Sequence, residues 1–174
     1  DGAAALILTT EENAATFPKS VAMRAAAHVN DFLPMSRRDF LAFEGPERAF
    51  AQAFKAANVT LDDIDFAEVH DCFTIAELLT YEAMGLAAKG QGARALEDGT
   101  VYRGGALPVN LSGGLKAKGH PVGATGVSMH ALAFRQLTNQ AGDLQVPGAE
   151  LGLLFNMGGS AVANYVSVLE ARKV

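Results

Sequence analysis

A single histidine, His120, stands in the segment of the chain that is richest in glycine. Residues 108–126 contain five glycines and two prolines, and they run directly into an apolar helical pattern over residues 127–137. Because Pro121 suits the first turn of a helix, this pattern predicts a loop that ends at a helix N-terminus, with His120 at its mouth. Free N–H groups and the helix dipole would favour negative charge there, either a phosphate or the oxyanion of an acyl-transfer intermediate.

Other interpretations of this segment stay open. A glycine-rich loop before a helix is often only a tight connection, and a lone histidine is often structural. The phosphate-loop pattern fails, because Gly114 and Gly119 have the required spacing but His120 stands in the lysine position. The segment also supplies the candidate oxyanion or substrate-binding residues Asn110, Ser112, Gly119 and Gly123.

Two further chemical groups lie where a predicted strand meets a predicted helix. His70 ends the strand predicted over residues 65–70, and Cys72 precedes the helix predicted over residues 73–84. Ligands collect at the carboxyl ends of strands in open α/β sheets. A helix dipole and a neighbouring imidazole favour the thiolate, which makes Cys72 a candidate nucleophile or general acid/base. The alternative is that Cys72 is a small buried hydrophobic residue.

A third candidate loop follows the strand predicted over residues 151–156. It begins with Asn156 and continues Met-Gly-Gly-Ser, and its glycines would let a substrate approach the backbone closely. We therefore expect three strand-end loops to converge on one pocket, carrying His70 with Cys72, His120, and Asn156 with Gly158.

Composition excludes several classes of protein. The chain has 174 residues, of which 49% are hydrophobic and 19% charged, as expected for one globular domain. The net charge of -5 and the scattered basic residues argue against nucleic-acid binding, and no apolar run is long enough to cross a membrane. One cysteine excludes an internal disulfide and suits a reducing compartment, so we expect a cytoplasmic protein.

Hydrophobic periodicity predicts an α/β fold in which helices cover a mixed sheet. For residues 20–30, the alanines leave a helix as an alternative to the strand. The predicted strands are 3–9, 20–30, 65–70, 151–156 and 162–169, and the predicted helices are 44–58, 73–84 and 127–137. The sequence begins in an apolar run without an initiator methionine, so we also expect a part of a longer protein.

Three blocks in this order resemble the C-terminal half of a thiolase: His-Asp-Cys-Phe at 70–73, Gly-His-Pro-Val-Gly-Ala-Thr-Gly at 119–126 and Asn-Met-Gly-Gly at 156–159. The first block is similar to the sterol-carrier-protein/lipid-transfer branch of that superfamily. The resemblance covers nearly all of residues 1–174. It implies a thiolase-like half, with a mixed five-stranded sheet and helices on both faces.

The resemblance also implies chemistry, namely thiolysis of 3-ketoacyl-CoA or the reverse Claisen condensation, with coenzyme A as a substrate and neither cofactor nor metal. The histidine matching His120 assists the nucleophilic cysteine and helps to form an oxyanion hole. His70 replaces an asparagine of ordinary thiolases, and Cys72 replaces the acid/base cysteine that they carry at the position of Asn156. Gly158 would lend an N–H to a second oxyanion site.

The family's acylated cysteine belongs to an N-terminal half that this chain does not contain. We therefore expect the chain to be inactive alone, to expose an apolar surface, and to require that half together with acyl-CoA and coenzyme A. The full-length protein is expected to be a homo-oligomer. The alternatives are a retro-aldolase acting on a steroid side-chain CoA thioester, in which tyrosines take the catalytic places, and a non-catalytic acyl-CoA or lipid-binding module.

Overall fold

Four strands form one mixed sheet at the centre of the fold. They are β1 (Val21–Asn30), β2 (Phe66–Val69), β3 (Leu151–Gly158) and β4 (Ala163–Ala171). Their order across the sheet is β1-β4-β3-β2. Strand β4 is antiparallel to both β1 and β3, whereas β2 is parallel to β3. The structure is a computed structural model, and it describes residues 1–172.

Helices connect the strands and cover the sheet. They are α1 (Glu11–Ala14), α2 (Glu44–Ala57), α3 (Thr74–Ala83), α4 (Arg94–Glu97), α5 (Gly114–Lys118) and α6 (Thr125–Leu137). The three longest, α2, α3 and α6, match the three predicted helices. No helix within residues 1–172 combines the length and the apolarity that crossing a membrane requires.

Side-chain alternation along the strands divides the core between the two faces of the sheet. In β3, Leu153 and Phe155 join α2 and α3 in the larger hydrophobic cluster, whereas Leu154 joins the smaller cluster with Met129 of α6. In the larger cluster the rings of Phe50 and Phe155 lie 5.0 Å apart. Helices therefore cover both faces, as predicted.

The prediction of a fifth strand at residues 3–9 is wrong. This segment is irregular, with Ile7 and Leu8 exposed by 85% and 80%. A uniformly apolar run forms a doubly buried strand only where neighbours cover it, and no described strand pairs with this one. The described sheet accordingly has four strands, and residues 20–30 form a strand rather than the alternative helix.

The nearest approach to a fifth strand lies beside β2. Val109 forms an isolated parallel bridge with Ala67, and two backbone hydrogen bonds of 2.9 Å hold it there. The next residue, Asn110, has a φ of 52°. This left-handed conformation turns the chain away from the sheet after one bridge. The bridge nevertheless attaches the glycine-rich segment to the edge of β2.

A substitution of Phe50 in α2 tests how much the larger hydrophobic cluster contributes to the stability of the fold. Replacing this residue, which is 1% exposed, by alanine should lower the free energy of unfolding by about 3–5 kcal/mol, because a buried aromatic ring is lost and a cavity remains. Denaturant unfolding measures the change. The control Gln52→Ala, on the exposed side of the same helix, should change it by less than about 0.5 kcal/mol. Equal effects of the two substitutions would contradict this account of the core.

Candidate active site

Two histidines that are far apart in sequence meet at one edge of the sheet. His70 follows the last residue of β2 and is only 5% exposed. His120 lies in the loop between α5 and α6. Their ring centroids are 4.9 Å apart and the rings meet edge to face at 76°. The structure thus brings together the two imidazoles that the sequence analysis expected to converge.

A partly buried ion pair joins the segments that carry the two histidines. Glu68 of β2 lies on the same face of the strand as His70, because side chains two residues apart share a face. Its carboxylate accepts a hydrogen bond from Lys118 Nζ at 2.8 Å and one from Ser112 Oγ at 2.6 Å. The Glu68 and Lys118 side chains are 6% and 18% exposed. Lys118 ends α5, two residues before His120.

Asp71 makes a second connection to the same loop. Its carboxylate accepts from the backbone N–H of Leu115 at 2.9 Å, in the first turn of α5. Gly114 makes this approach possible, because its φ is 64° and a Cβ there would collide with the Asp71 carboxylate. Glu68 and Asp71, which lie on either side of His70 in sequence, therefore both bond to the glycine-rich segment.

Thr125 orients the ring of His120. The Thr125 hydroxyl is buried and lies 2.7 Å from His120 Nδ1 and 3.2 Å from the carbonyl oxygen of Pro121. A carbonyl only accepts, so we place the hydroxyl proton toward Pro121 and let Nδ1–H donate to the Thr125 oxygen. This assignment leaves the lone pair on Nε2 of His120.

The prediction that Pro121 lies in the first turn of a helix is wrong. Helix α6 begins at Thr125, and residues 121–124 form a hydrogen-bonded turn in which the N–H groups of Ala124 and Thr125 donate to the Pro121 carbonyl. The ring of His120 nevertheless contacts Thr125, the first residue of α6, so His120 lies at the N-terminal end of this helix.

The environment of His70 favours the neutral ring. Burial, and then the positive charge that His120 can carry, lower the pKa of His70 below its ordinary value of 6.5, while the nearby Asn156 and Asp71 oppose this effect. Nδ1 of His70 and Oδ1 of Asn156 are both buried and have no hydrogen-bond partner among the described residues. These polar atoms suit a ligand that can donate or accept hydrogen bonds.

Cys72 carries its proton at neutral pH. The residue is half-buried, and desolvation by burial raises its pKa above 9.0 in spite of backbone hydrogen bonds that lower it. Helix α3 begins only at Thr74, with Phe73 as its N-cap, so Cys72 lies before the helix. Burial thus favours the thiol over the thiolate that the sequence analysis expected, because desolvation is the largest effect on the pKa of Cys72. A neutral thiol can still act as a proton donor.

Strand β3 places Asn156 beside His70. Phe155 pairs with Val69 in the parallel β2–β3 ladder, so the two residues that follow them are neighbours across the sheet edge. The Asn156 amide also packs against α6, since a Cβ on Gly126 would lie 2.8 Å from Asn156 Nδ2. Gly158 ends the same strand and is exposed.

The remaining predicted residues differ in whether hydrogen bonds within the protein already engage them. The Asn110 side chain accepts from the Val69 N–H at 2.8 Å and donates to Glu77 at 3.1 Å, and Ser112 is bonded to Glu68. Both side chains are thus already engaged within the protein. Gly119 and Gly123 line a cleft of about 770 Å³ that residues 1–4 and 118–124 enclose, with His120 in its wall. Substrate binding by all four residues stays a prediction.

Sequence reasoning missed the residues that position the site. Glu68 is a carboxylate within a strand that is otherwise apolar and fully buried, which could have indicated a paired charge. Thr125 lies within the quoted Gly-Ala-Thr-Gly block, but its contact with His120 is not evident from the sequence. No local pattern distinguishes Lys118 from Lys116. Among the described residues, no group of His, Cys, Asp or Glu is arranged to hold a metal ion.

Comparison with known proteins identifies the family. The sequence profile of the thiolase C-terminal domain-like family matches residues 26–171. The chain belongs to this family. It is 44% identical over 162 residues to an acetyl-CoA acetyltransferase of Methanothermobacter thermautotrophicus, covering 92% of this chain and 42% of that protein. It is 42% identical over 171 residues to human sterol carrier protein 2, covering 93% of this chain and 31% of that protein.

A solved structure agrees with this assignment. The thiolase C-terminal domain superposes on the Ltp2-ChsH2(DUF35) aldolase with a TM-score of 0.77 and 25% identity, over 94% of this chain and 43% of that one. The chain thus spans less than half the length of these relatives. Both the α/β fold and the resemblance to thiolases and lipid-transfer proteins are confirmed at the level of the domain.

Burial of neutral His70 should make the stability of this thiolase domain depend on pH. The unfolded chain binds the proton more tightly than the folded one, so the stability that neutral His70 contributes is complete above about pH 6.5 and is lost as the pH falls below it. The free energy of unfolding should therefore drop between about pH 7.5 and about pH 5, and His70→Asn should make this drop smaller.

Denaturant unfolding at the two pH values measures the difference. The control His28→Asn removes an exposed histidine from β1 and should leave the drop at its wild-type size. If His70→Asn retains the whole drop, His70 is not held neutral by burial.

Proposed function

We propose that this chain is the C-terminal catalytic half of a thiolase-type acyltransferase, which cleaves 3-ketoacyl-CoA with coenzyme A or condenses two acyl-CoA molecules. The observation that supports this most directly is the edge-to-face contact between His70 and His120, with Cys72 two residues beyond His70. These are the residues that resemble the catalytic groups of the sterol-carrier-protein/lipid-transfer branch. A catalytic thiol requires a reducing compartment, and we propose the cytoplasm.

His120 is suited to activate a nucleophile on the other half. With Nδ1 donating to Thr125, the lone pair on Nε2 can accept the proton of an attacking cysteine thiol. The imidazolium that results has a new N–H on Nε2, which can donate to the oxygen that becomes negative as the cysteine attacks the ketone carbon. One histidine thereby serves as general base and as oxyanion donor in successive moments of the step.

Cys72 is suited to the proton transfer that follows. When the bond between C2 and C3 of the ketoacyl chain breaks, its electron pair remains on C2 of the departing acetyl-CoA. The Cys72 thiol, protonated because burial raises its pKa, can donate its proton to that carbon. The thiolate formed then takes the proton of coenzyme A as the sulfur of coenzyme A attacks the acyl-enzyme, which regenerates the Cys72 thiol. The nucleophilic cysteine leaves the acyl group and takes back its proton from the His120 imidazolium.

The thioester carbonyl requires its own hydrogen-bond donors. Neutral His70 borders the site with a buried, unpartnered ring nitrogen, and we propose that an N–H of this ring polarises the carbonyl. The unpartnered atom of Asn156 is the oxygen Oδ1, which accepts, and we propose that it binds a donor group of the substrate. Gly158 N–H, at the exposed end of β3, is proposed to serve the second oxyanion site. Gly119 and Gly123, at the wall of the cleft, are proposed to let the acyl-CoA approach the backbone closely.

Exposed apolar side chains support the need for a second half. Ile7, Leu8 and Phe73 are exposed by 85%, 80% and 71%. Phe73 lies directly between Cys72 and α3, so one of these apolar surfaces adjoins the candidate site. Ile7 and Leu8 line one groove with the exposed Phe17 and Met23, and a contiguous apolar surface commonly marks an interface. We propose that an N-terminal thiolase half covers it and supplies the acylated cysteine, and that the assembled protein is a homo-oligomer.

The chain alone should not turn over 3-ketoacyl-CoA, because it offers no second thiol to carry the acyl group. Its activity should appear when an N-terminal thiolase half is supplied in the same polypeptide. Loss of 3-ketoacyl-CoA absorbance in the presence of coenzyme A measures thiolysis. Turnover by the 174-residue chain on its own would overturn the division of labour proposed here.

Cys72→Ala in the complete enzyme should slow hydrogen exchange at the methyl group of acetyl-CoA by about 10²–10⁴-fold, as expected for the loss of a general acid/base. Mass spectrometry of acetyl-CoA in D₂O follows the exchange. Cys72→Ser is the matched variant, since it keeps a proton donor of higher pKa and should lose less. Exchange at the wild-type rate in Cys72→Ala would remove Cys72 from proton transfer.

A retro-aldolase is the second candidate, and the likeness to an aldolase structure favours it. It would cleave a 3-hydroxyacyl-CoA rather than a 3-ketoacyl-CoA. Retention of Cys72 and His120 supports the thiolase, because the aldolase branch is expected to have tyrosines in the catalytic places. Supplying both substrates to the complete enzyme separates the two functions.

A further inference from the structure

We infer that the partly buried Glu68–Lys118 ion pair is a positioning element that sets the contact between His70 and His120. Each partner precedes one of the two histidines by two residues in sequence. Glu68 and His70 share the rigid end of β2, and Lys118 and His120 are separated only by Gly119. The two segments are thus joined at two points. One is the 2.8 Å salt bridge between Glu68 and Lys118, and the other is the contact between the two imidazole rings, whose centroids lie 4.9 Å apart.

The pair is well connected for this role. Ser112 Oγ donates to Glu68 at 2.6 Å and lies 2.6 Å from Lys118 Nζ, so three polar side chains satisfy one another beneath the histidines. Buried charges require such partners, because desolvation otherwise disfavours them. Moving Lys118 away from the carboxylate would therefore cost free energy. This holds in place the backbone of Lys118, which Gly119 and His120 follow immediately.

Gly119 makes this restraint necessary. Its φ is 88° and a Cβ at this position would meet no atom within 4 Å, so neither packing nor a side chain fixes the backbone between Lys118 and His120. Thr125 orients the His120 ring from one side, but it does not connect the ring to β2. The ion pair provides a side-chain connection between β2 and the residues just before His120.

Other ion pairs of the described residues lack this character. Arg24 and Glu170 form a bridge of 2.9 Å between β1 and β4, but their side chains are 31% and 41% exposed. Exposed pairs contribute little, because water screens them. This bridge also lies far along the sheet order from β2. Glu170 therefore offers a matched control for the loss of a charged partner.

The test is a nuclear Overhauser contact between the rings of His70 and His120 in the 174-residue chain. The chain has only four histidines, so selective histidine labelling gives few signals. Wild type and Glu170→Gln should show the contact. Glu68→Leu combined with Lys118→Met should lose it, because removing both charges leaves no unpaired buried ion yet removes the connection.

Another histidine, His130, reports in the same spectrum whether the double variant is folded. His130 bonds to Gly126 within α6 and to Ser167 of β4, and its signals should stay unchanged in the double variant. Retention of the ring contact in the folded double variant overturns the inference, as does its absence from wild type. If the double variant fails to fold, the pair is a determinant of folding rather than of position, and the inference is equally overturned.

The consequence for catalysis rests on the proposed function. In the complete enzyme the double variant should lower kcat by about 10²-fold with little change in KM for coenzyme A, as expected when catalytic groups are displaced by about 1 Å. Arg24 and Glu170 variants should retain wild-type kcat. A complete enzyme without any thiolase activity would refute the proposed function, while the ring contact would still decide the positioning role.

Discussion

The parallel pairing of β2 with β3 is the interaction on which the candidate site depends. It places His70 next to Asn156 and directs both toward the start of α6. The free edge of β2 then holds Val109 through a single bridge, which brings the glycine-rich segment alongside. Without this ladder, Asn156 would not lie beside His70, and the segments joined to β2 would lose their attachment to the rest of the sheet. A short strand of four residues thus connects three loops.

Burying polar side chains on one face of β2 costs desolvation free energy, but it also selects which residues of the loop pack there. Phe66 enters the smaller hydrophobic cluster, whereas on the same face Glu68 bonds to Ser112 and Lys118 and His70 contacts the ring of His120. An apolar residue in place of Glu68 would pack, but it would not select Ser112 and Lys118 among the residues of the loop. Directional hydrogen bonds to a buried charge restrict the loop to one position, which hydrophobic contact alone does not do.

The sequence predicted much of this fold because its signals are local. The amphipathic pattern of α2 and the apolar alternation of β4 indicate their elements directly, and the glycines around His120 mark a segment that approaches other backbone. Residues 3–9 were predicted wrongly because burial on both faces is a property of neighbours, not of the segment. The convergence of His70 and His120 followed from strand-end placement, but the roles of Glu68 and Thr125 depend on contacts across more distant parts of the chain.

The electrostatic state of the site explains how these groups can act in turn. Burial favours the neutral form of both His70 and Cys72, because it raises the pKa of an acid and lowers that of a base. Within residues 1–172, the charges of Asp71 and of the Glu68–Lys118 pair lie close to the histidines, and each has a partner. In the proposed reaction, further charge develops when substrate reacts. Groups that are fixed in position before that moment stabilise it most, since they need no reorganisation. Under the proposed function, the residues that hold the two imidazoles in position therefore contribute to catalysis through that position.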